Sequence, residues 1–226
     1  MKMLALDTSS IACSVALQMK DGVIERYEEQ PREHTRILMP MIESVLHEAG
    51  AALAELDAIV LGNGPGSFIG MRIAASVAQG LAFGAGLSIV PVSSMAAVAA
   101  QVFEETDAAE VVVAQDAHMN EVYLGMYRQE SGLAVEIMPE QLHAAAAIAA
   151  LSVEAAGPRL AAGFGWQRYP ELLATNEERL SGVVDVLHPR ATYLLKLAAT
   201  GVAIKPQAIV PAYLRQKVAQ KPTQAS

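Results

Sequence analysis

The chain has 226 residues, 53% of them hydrophobic and 18% charged, enough for one large domain or two small ones around a substantial core. A formal net charge of −8 opposes independent binding to a polyanion such as RNA, because phosphate contacts need clustered lysine and arginine. Cys13 is the one cysteine, which excludes an internal disulfide framework or a multi-cysteine metal site and fits a reducing, cytoplasmic setting.

Met1-Lys2 lead straight into a short strand over 3–6, without the long apolar region of a secretory signal. That strand ends at Asp7-Thr8-Ser9-Ser10. Strands over 12–19 and 23–28 pair across Lys20-Asp21-Gly22, an Asp-Gly hairpin signal. A helix follows over 35–48, where Ile37, Leu38, Met39, Met41, Ile42, Val45 and Leu46 cover an apolar arc of about 200°, wider than a one-sided surface helix needs. Two of its sides are therefore expected to be covered, either by the chain's own sheet and neighbouring helix or by a partner. Pro40 kinks this helix or marks a delayed start.

An apolar strand over 58–61 then runs into Gly62-Asn63-Gly64-Pro65-Gly66-Ser67-Phe68-Ile69-Gly70, and an alanine-rich helix begins at once. Glycines allow such a loop to turn its N–H groups toward one point at a helix N-terminus, where phosphate binds. No Gly-Lys-Ser/Thr ends the loop as in a Walker NTPase, and Ser67 stands where the third glycine of a dinucleotide fingerprint belongs. Two readings stay open: a phosphate contact, or a turn that only packs strand tightly against helix. Arg72 sits in the first turn of the next helix, poorly placed against the helix dipole, and is answered by an acid or phosphate or turned to solvent. From Ile73 to Phe103 no residue is charged, yet Gln79, Gly80, Gly84, Gly86, Ser88 and Pro91 divide the stretch into helix, turn, strand and helix. The expectation is buried core, not a membrane span.

After a strand over 87–92 and a helix over 93–103, a second unit opens near Glu104-Glu105-Thr106-Asp107. Its first strand, 110–115, ends at Asp116, and strand-like runs over 121–127 and 133–138 follow. Residues 1–104 and 105–226 are thus expected to form two related subdomains facing a cleft, each opening on a buried strand that ends in aspartate. Later come a helix over 141–151, a strand over 159–163, and helices over 166–173 and 190–200. The tail over 205–226 has basic residues and no acid, and reads as a flexible arm.

Five blocks carry a resemblance: Leu4-Ala5-Leu6-Asp7-Thr8-Ser9, Gly64-Pro65-Gly66-Ser67-Phe68-Ile69-Gly70-Met71-Arg72, Pro91-Val92-Ser93-Ser94, Asp116-Ala117-His118-Met119-Asn120-Glu121-Val122-Tyr123 and Tyr213-Leu214-Arg215. In this order they closely resemble the TsaB family, also called YeaZ, over almost the whole chain. Ile69 departs from the pattern where threonine is common, and His118 where arginine is common, each weakening a polar contact near the cleft. The resemblance implies an α/β protein of the actin, Hsp70 and sugar-kinase (ASKHA) fold, with two related subdomains. It implies a non-catalytic subunit for threonylcarbamoylation of the adenosine beside the anticodon in tRNAs reading codons that begin with adenine. The partner would be a homologous catalytic subunit, TsaD, with a small ATPase, TsaE, joining through the complex. Alone the protein would form a homodimer; it would meet tRNA only through the complex, and no membrane. It would hold no cofactor of its own, ATP or ADP entering only in the assembled complex. Because TsaB proteins pair through their first two helices, the implied partner surface is Ile37, Leu38, Met41, Ile42, Val45, Arg72, Ile73, Ala74, Val77, Ala78 and Leu81.

The residues can be asked independently for chemistry. A metal held as in the catalytic paralogue needs two histidines four apart on one helix face. His34 is followed four residues on by Leu38, and His47, His118, His143 and His188 stand apart. No metal ligand and no catalytic residue are therefore assigned. Asp7 and Asp116 would suit an ATP-dependent small-molecule kinase, where carboxylates facing across a cleft position magnesium or activate a hydroxyl. The opposing reading is that Asp7, with Thr8 and Ser9, satisfies backbone groups at the turn. Candidate nucleotide or phosphate contacts are accordingly Asp7, Thr8, Ser9, Gly64, Gly66, Ser67 and Asp116. A peptidase has least support, with no histidine-paired nucleophile visible.

Overall fold

A computed structural model describes residues 1–152 and 154–215. The first strand, β1 (Met3–Asp7), is buried along its whole length, so its side chains must be apolar on both faces. Leu4 and Leu6 pack on one side and Met3 and Ala5 on the other, in separate core clusters. Antiparallel pairing with β2 (Ala12–Met19), and of β2 with β3 (Gly22–Glu29), builds the expected hairpin. Beyond α1 (His34–Ala49), β4 (Ala58–Gly62) joins the other edge of β1 in parallel; after α2 (Phe68–Ala85), β5 (Ser88–Val92) pairs parallel to β4. The first sheet therefore runs β3-β2-β1-β4-β5.

Following α3 (Ser94–Glu105), the pattern repeats. β6 (Glu110–Asp116), β7 (Glu121–Glu130) and β8 (Leu133–Ala144) are antiparallel, while β9 (Arg159–Ala162) and β10 (Gly182–Val183) add in parallel. The second sheet is β10-β9-β6-β7-β8, the same connectivity as the first. Asp7 and Asp116 close the equivalent strands β1 and β6. Two α/β units of like topology are the ASKHA arrangement expected from the sequence.

Helices α1 and α2 cover one face of the first sheet. Its other face meets α3 and α6 (Ala191–Ala198), so the chain returns to the first sheet after building the second. Helix α3 also packs on Val111 and Val113 of β6, between the two sheets. The far face of the second sheet carries α4 (Gly165–Arg168) and α5 (Pro170–Asn176), anchored by Trp166, whose Nε1 donates to the Val112 carbonyl at 3.2 Å.

Several sequence expectations are corrected. The helix expected over 141–151 does not form: β8 continues through Ala144 in register with β7, then a short 3-10 turn spans Ala145–Ala147. Cross-strand pairing here overrides the helix propensity of alanine. The helix over 166–173 is split into α4 and α5, with Pro170, which lacks an N–H, at the start of the second. Pro40 lies inside an uninterrupted α1, on its exposed side. Of the expected arm, 205–215 forms a pinned strap and 216–226 lie outside the described residues. Gln79 Nε2 donates to the Pro206 carbonyl at 3.0 Å, Asn63 Nδ2 to that of Val210 at 3.1 Å, and Arg215 to that of Ala117 at 2.7 Å.

Candidate functional site

The two subdomains enclose a cleft of about 630 Å³ between the turn after β1, the glycine loop and the turn after β6. Asp7 lies behind its wall. The Asp7 carboxylate is 1% exposed: Oδ1 accepts from the Ser9 N–H and the Ser9 hydroxyl at 2.7 Å each, and Oδ2 from the Ser94 hydroxyl at 2.5 Å. Burial pushes this carboxyl above its usual pKa, against the opposing effect of those hydrogen bonds.

Three glycines press the loop onto the same turn. A Cβ on Gly62 would stand 1.9 Å from Asp7 Oδ2, one on Gly66 2.2 Å from the Ser9 carbonyl oxygen, and one on Gly70 1.9 Å from that of Thr8. Three of the loop's donors are engaged within the protein. Gly64 N–H donates to Ser94 Oγ at 3.0 Å, Ser67 N–H to the Ser9 carbonyl at 2.6 Å, and Gly70 N–H to Ser67 Oγ at 3.2 Å, capping α2. Thr8 Oγ1 in turn donates to the Gly70 carbonyl at 2.7 Å. Of the candidate phosphate contacts, Ser9, Gly66, Ser67 and Asp116 line the cleft, whereas Asp7, Thr8 and Gly64 are sealed behind it.

Across the cleft, the β6–β7 turn places His118, Met119 and Asn120 consecutively in the left-handed region, with φ of 60°, 57° and 59°. Such a run is strained for side-chain-bearing residues, and hydrogen bonds hold it. Asp116 Oδ1 accepts from the Tyr169 hydroxyl at 2.7 Å and from the His118 N–H at 2.8 Å, and Oδ2 lies 3.1 Å from His118 Nδ1. The Asp116 bond and burial push the Tyr169 phenol up to about 12, burial being the larger cause. The wall also includes Arg32, His34 and Thr35 at the start of α1, Gln115, whose Nε2 donates to the Leu187 carbonyl at 2.9 Å, and Phe164 against His188, ring centroids 5.7 Å apart. Among the described residues no three His, Cys, Asp or Glu side chains gather as a metal-binding group.

The surface of α1 and α2 is narrower than the helix wheel implies. Ile37, Leu38, Met41, Ile42, Val45, Ala74 and Ala78 are buried in the first subdomain's own core, because the inner faces of both helices rest on the first sheet. Ile73, Val77 and Leu81 are half-buried, and Arg72 is exposed, its guanidinium 3.5 Å from the Phe68 ring centroid and its Nε donating to the Tyr213 hydroxyl at 3.0 Å. Helix α2 is not wholly core, as the uncharged run from Ile73 to Phe103 suggested. Its outer face shows Phe83 at 72% exposure, with Ile69 at 70% at its N-terminal end, and Gly80 and Gly84 there face open space. By length and composition alone this helix would also suit a membrane span, but its inner side is committed to the core.

A protein of Haemophilus influenzae named tRNA threonylcarbamoyladenosine biosynthesis protein TsaB is 39% identical to this chain, over 97% of it and 95% of the relative. Its namesake in Escherichia coli is 36% identical, over 98% and 97%. The chain belongs to the TsaB family. The family model described as TsaD, tRNA N6-adenosine threonylcarbamoyltransferase, also matches residues 18–174, as expected of homologous folds. A solved structure described as YeaZ from Pseudomonas aeruginosa superposes with a TM-score of 0.86 at 37% identity, covering 94% of this chain and 99% of that one. A second Pseudomonas aeruginosa structure, described as an uncharacterized protein with similarity to peptidase YEAZ, gives the same TM-score at 38% identity.

Within this TsaB-family fold, sequence reasoning passed over four site residues. Ser94 stood in a recognised block with no role attached; Gln115 was read only as strand. Phe164 and His188 come from separate segments after β9 and before α6, and only the closed fold brings them together.

Proposed function

We infer that this chain is a non-catalytic partner subunit in tRNA threonylcarbamoyladenosine biosynthesis, docking a TsaD-type catalytic homologue through the outer face of α2 and the adjoining edge of α1. One observation carries the reading: Ile69, Phe83 and Met39 are exposed apolar side chains on or beside a helix whose inner face is already buried. Large apolar side chains grouped on a surface mark association sites, and glycines at 80 and 84 allow a second helix to approach closely. The same face serves self-association when the catalytic subunit is absent. The TsaE-type ATPase, ATP or ADP, and tRNA are met through the assembled complex.

The kinase alternative is disfavoured by the same geometry. Asp7 has both oxygens engaged behind the wall, so it is not free to receive a substrate proton. The test is to mix the protein with its TsaD homologue, measure the mass of the complex by light scattering, and assay threonylcarbamoyl transfer with each subunit omitted. A complex whose activity needs both chains supports the reading; phosphoryl transfer by this chain alone overturns it.

A further inference from the structure

Arg72 stands near the N-terminus of α2, where the helix dipole opposes positive charge, and among the described residues no carboxylate pairs with it. Two aromatic rings hold it instead. Its guanidinium carbon lies 3.5 Å from the Phe68 ring centroid and 5.5 Å from that of Tyr213, whose hydroxyl accepts from Nε at 3.0 Å. Tyr213 comes from the strap, 141 residues away in sequence. The stacking and this one bond fix the plane of the group. The terminal nitrogens donate to nothing among the described residues, and together they form a planar fork that matches a carboxylate.

The fork stands beside a groove. A cavity of about 400 Å³ opens between α1 and α2, with Leu38, Met39, Ile69, Ile73 and Val77 in its lining, and Arg72 is the one lining residue of fixed charge. An apolar side chain suits such a groove. A single cation at its margin suits one carboxylate, whereas a polyanion needs several cations.

We propose that the catalytic homologue docks with a helix on which an acidic residue pairs with Arg72 while a neighbouring large apolar side chain enters the groove between α1 and α2, and that Tyr213 of the strap positions Arg72 for this pairing. The proposal rests on the partner reading and deepens it by naming the chemistry that selects the partner.

The test is calorimetric titration of the TsaD homologue into the natural chain and into Arg72→Gln, Arg72→Lys and Tyr213→Phe, at about 50 and 300 mM sodium chloride. Arg72 is exposed and Tyr213 is 40% exposed, so these variants should stay folded. Arg72→Gln is expected to raise the dissociation constant ~10-fold or more and to flatten its salt dependence. Arg72→Lys should recover only part of the loss, because an ammonium group cannot pair as a fork. Tyr213→Phe, which keeps the ring and removes the hydroxyl, should weaken binding ~3-fold, with no further loss when combined with Arg72→Gln. A complex whose affinity and salt dependence are unchanged by Arg72→Gln would overturn the proposal and leave the partner reading standing. No complex with the natural chain would overturn both. Weakened self-association of Arg72→Gln beside an unchanged mixed complex would assign the cation to a second copy of this chain and likewise overturn the proposal.

Discussion

The Ser94 hydroxyl and the Asp7 carboxylate lie 2.5 Å apart although 87 residues separate them in sequence. This bond joins the first turn of α3 to the end of β1, and Gly64 N–H completes it by donating to Ser94 Oγ. Ser94→Ala leaves one carboxylate oxygen and one N–H unpaired in a buried site, a loss of ~1–3 kcal/mol. A urea midpoint lowered accordingly is expected; an unchanged midpoint would show that the contact adds nothing to stability.

The glycine loop makes a related prediction. A Cβ at Gly70 would meet the Thr8 carbonyl oxygen at 1.9 Å, and one at Gly66 the Ser9 carbonyl oxygen at 2.2 Å. Backbone atoms yield less readily than a flexible side chain, so Gly66→Ala and Gly70→Ala should each destabilise by at least ~1–3 kcal/mol. Gly80→Ala and Gly84→Ala, where a Cβ meets nothing within 4 Å, should be neutral or stabilising. Equal losses at all four positions in denaturant titrations would contradict the packing role of the loop.

His188 gives a pH dependence. Burial lowers its pKa below the ordinary 6.5, with Glu29 acting weakly in the opposite sense. As pH falls through 6.5 the unfolded chain takes up a proton that the folded protein refuses, so stability present above that value is lost toward the lowered native pKa. His188→Phe should remove this component, visible as a shallower decline of unfolding free energy just below pH 6.5. An identical slope in protein and variant would assign the decline to other groups.

The outer face of α2 can be tested without touching the core. Ile69→Glu and Phe83→Glu alter side chains that are 70% and 72% exposed, and each should change the stability of the monomer by no more than about 0.5 kcal/mol. Each should nevertheless weaken pairing, because a charge would be desolvated at the contact. A folded variant that pairs normally would move the interface elsewhere; Val77→Glu, at a half-buried position, mixes the two effects.

The fold was legible because its signals are local. Asp21-Gly22 fixes the first hairpin and the apolar runs ending at Asp7 and Asp116 mark the equivalent strands, whereas the alanine-rich run over 141–151 reads as helix but forms strand and a 3-10 turn, and Pro170 divides the helix over 166–173. Which side of a helix meets the chain's own sheet is not local. Ile37, Leu38, Met41 and Val45 have the same apolar character whether sheet or partner covers them, and burial alone separates them from Ile69 and Phe83. The same holds for the turn at Asp7. A sequence shows aspartate beside glycine loop, but not that Ser9 and Ser94 engage both oxygens.

The central claim is that this chain works by pairing with a catalytic homologue. The most direct measurement is light scattering during size-exclusion chromatography of the protein mixed with its TsaD homologue, repeated with Ile69→Glu. The account predicts a mixed complex that forms with the natural chain and fails with the folded variant. Absence of any complex with the natural chain, or its undiminished formation with the variant, would contradict it.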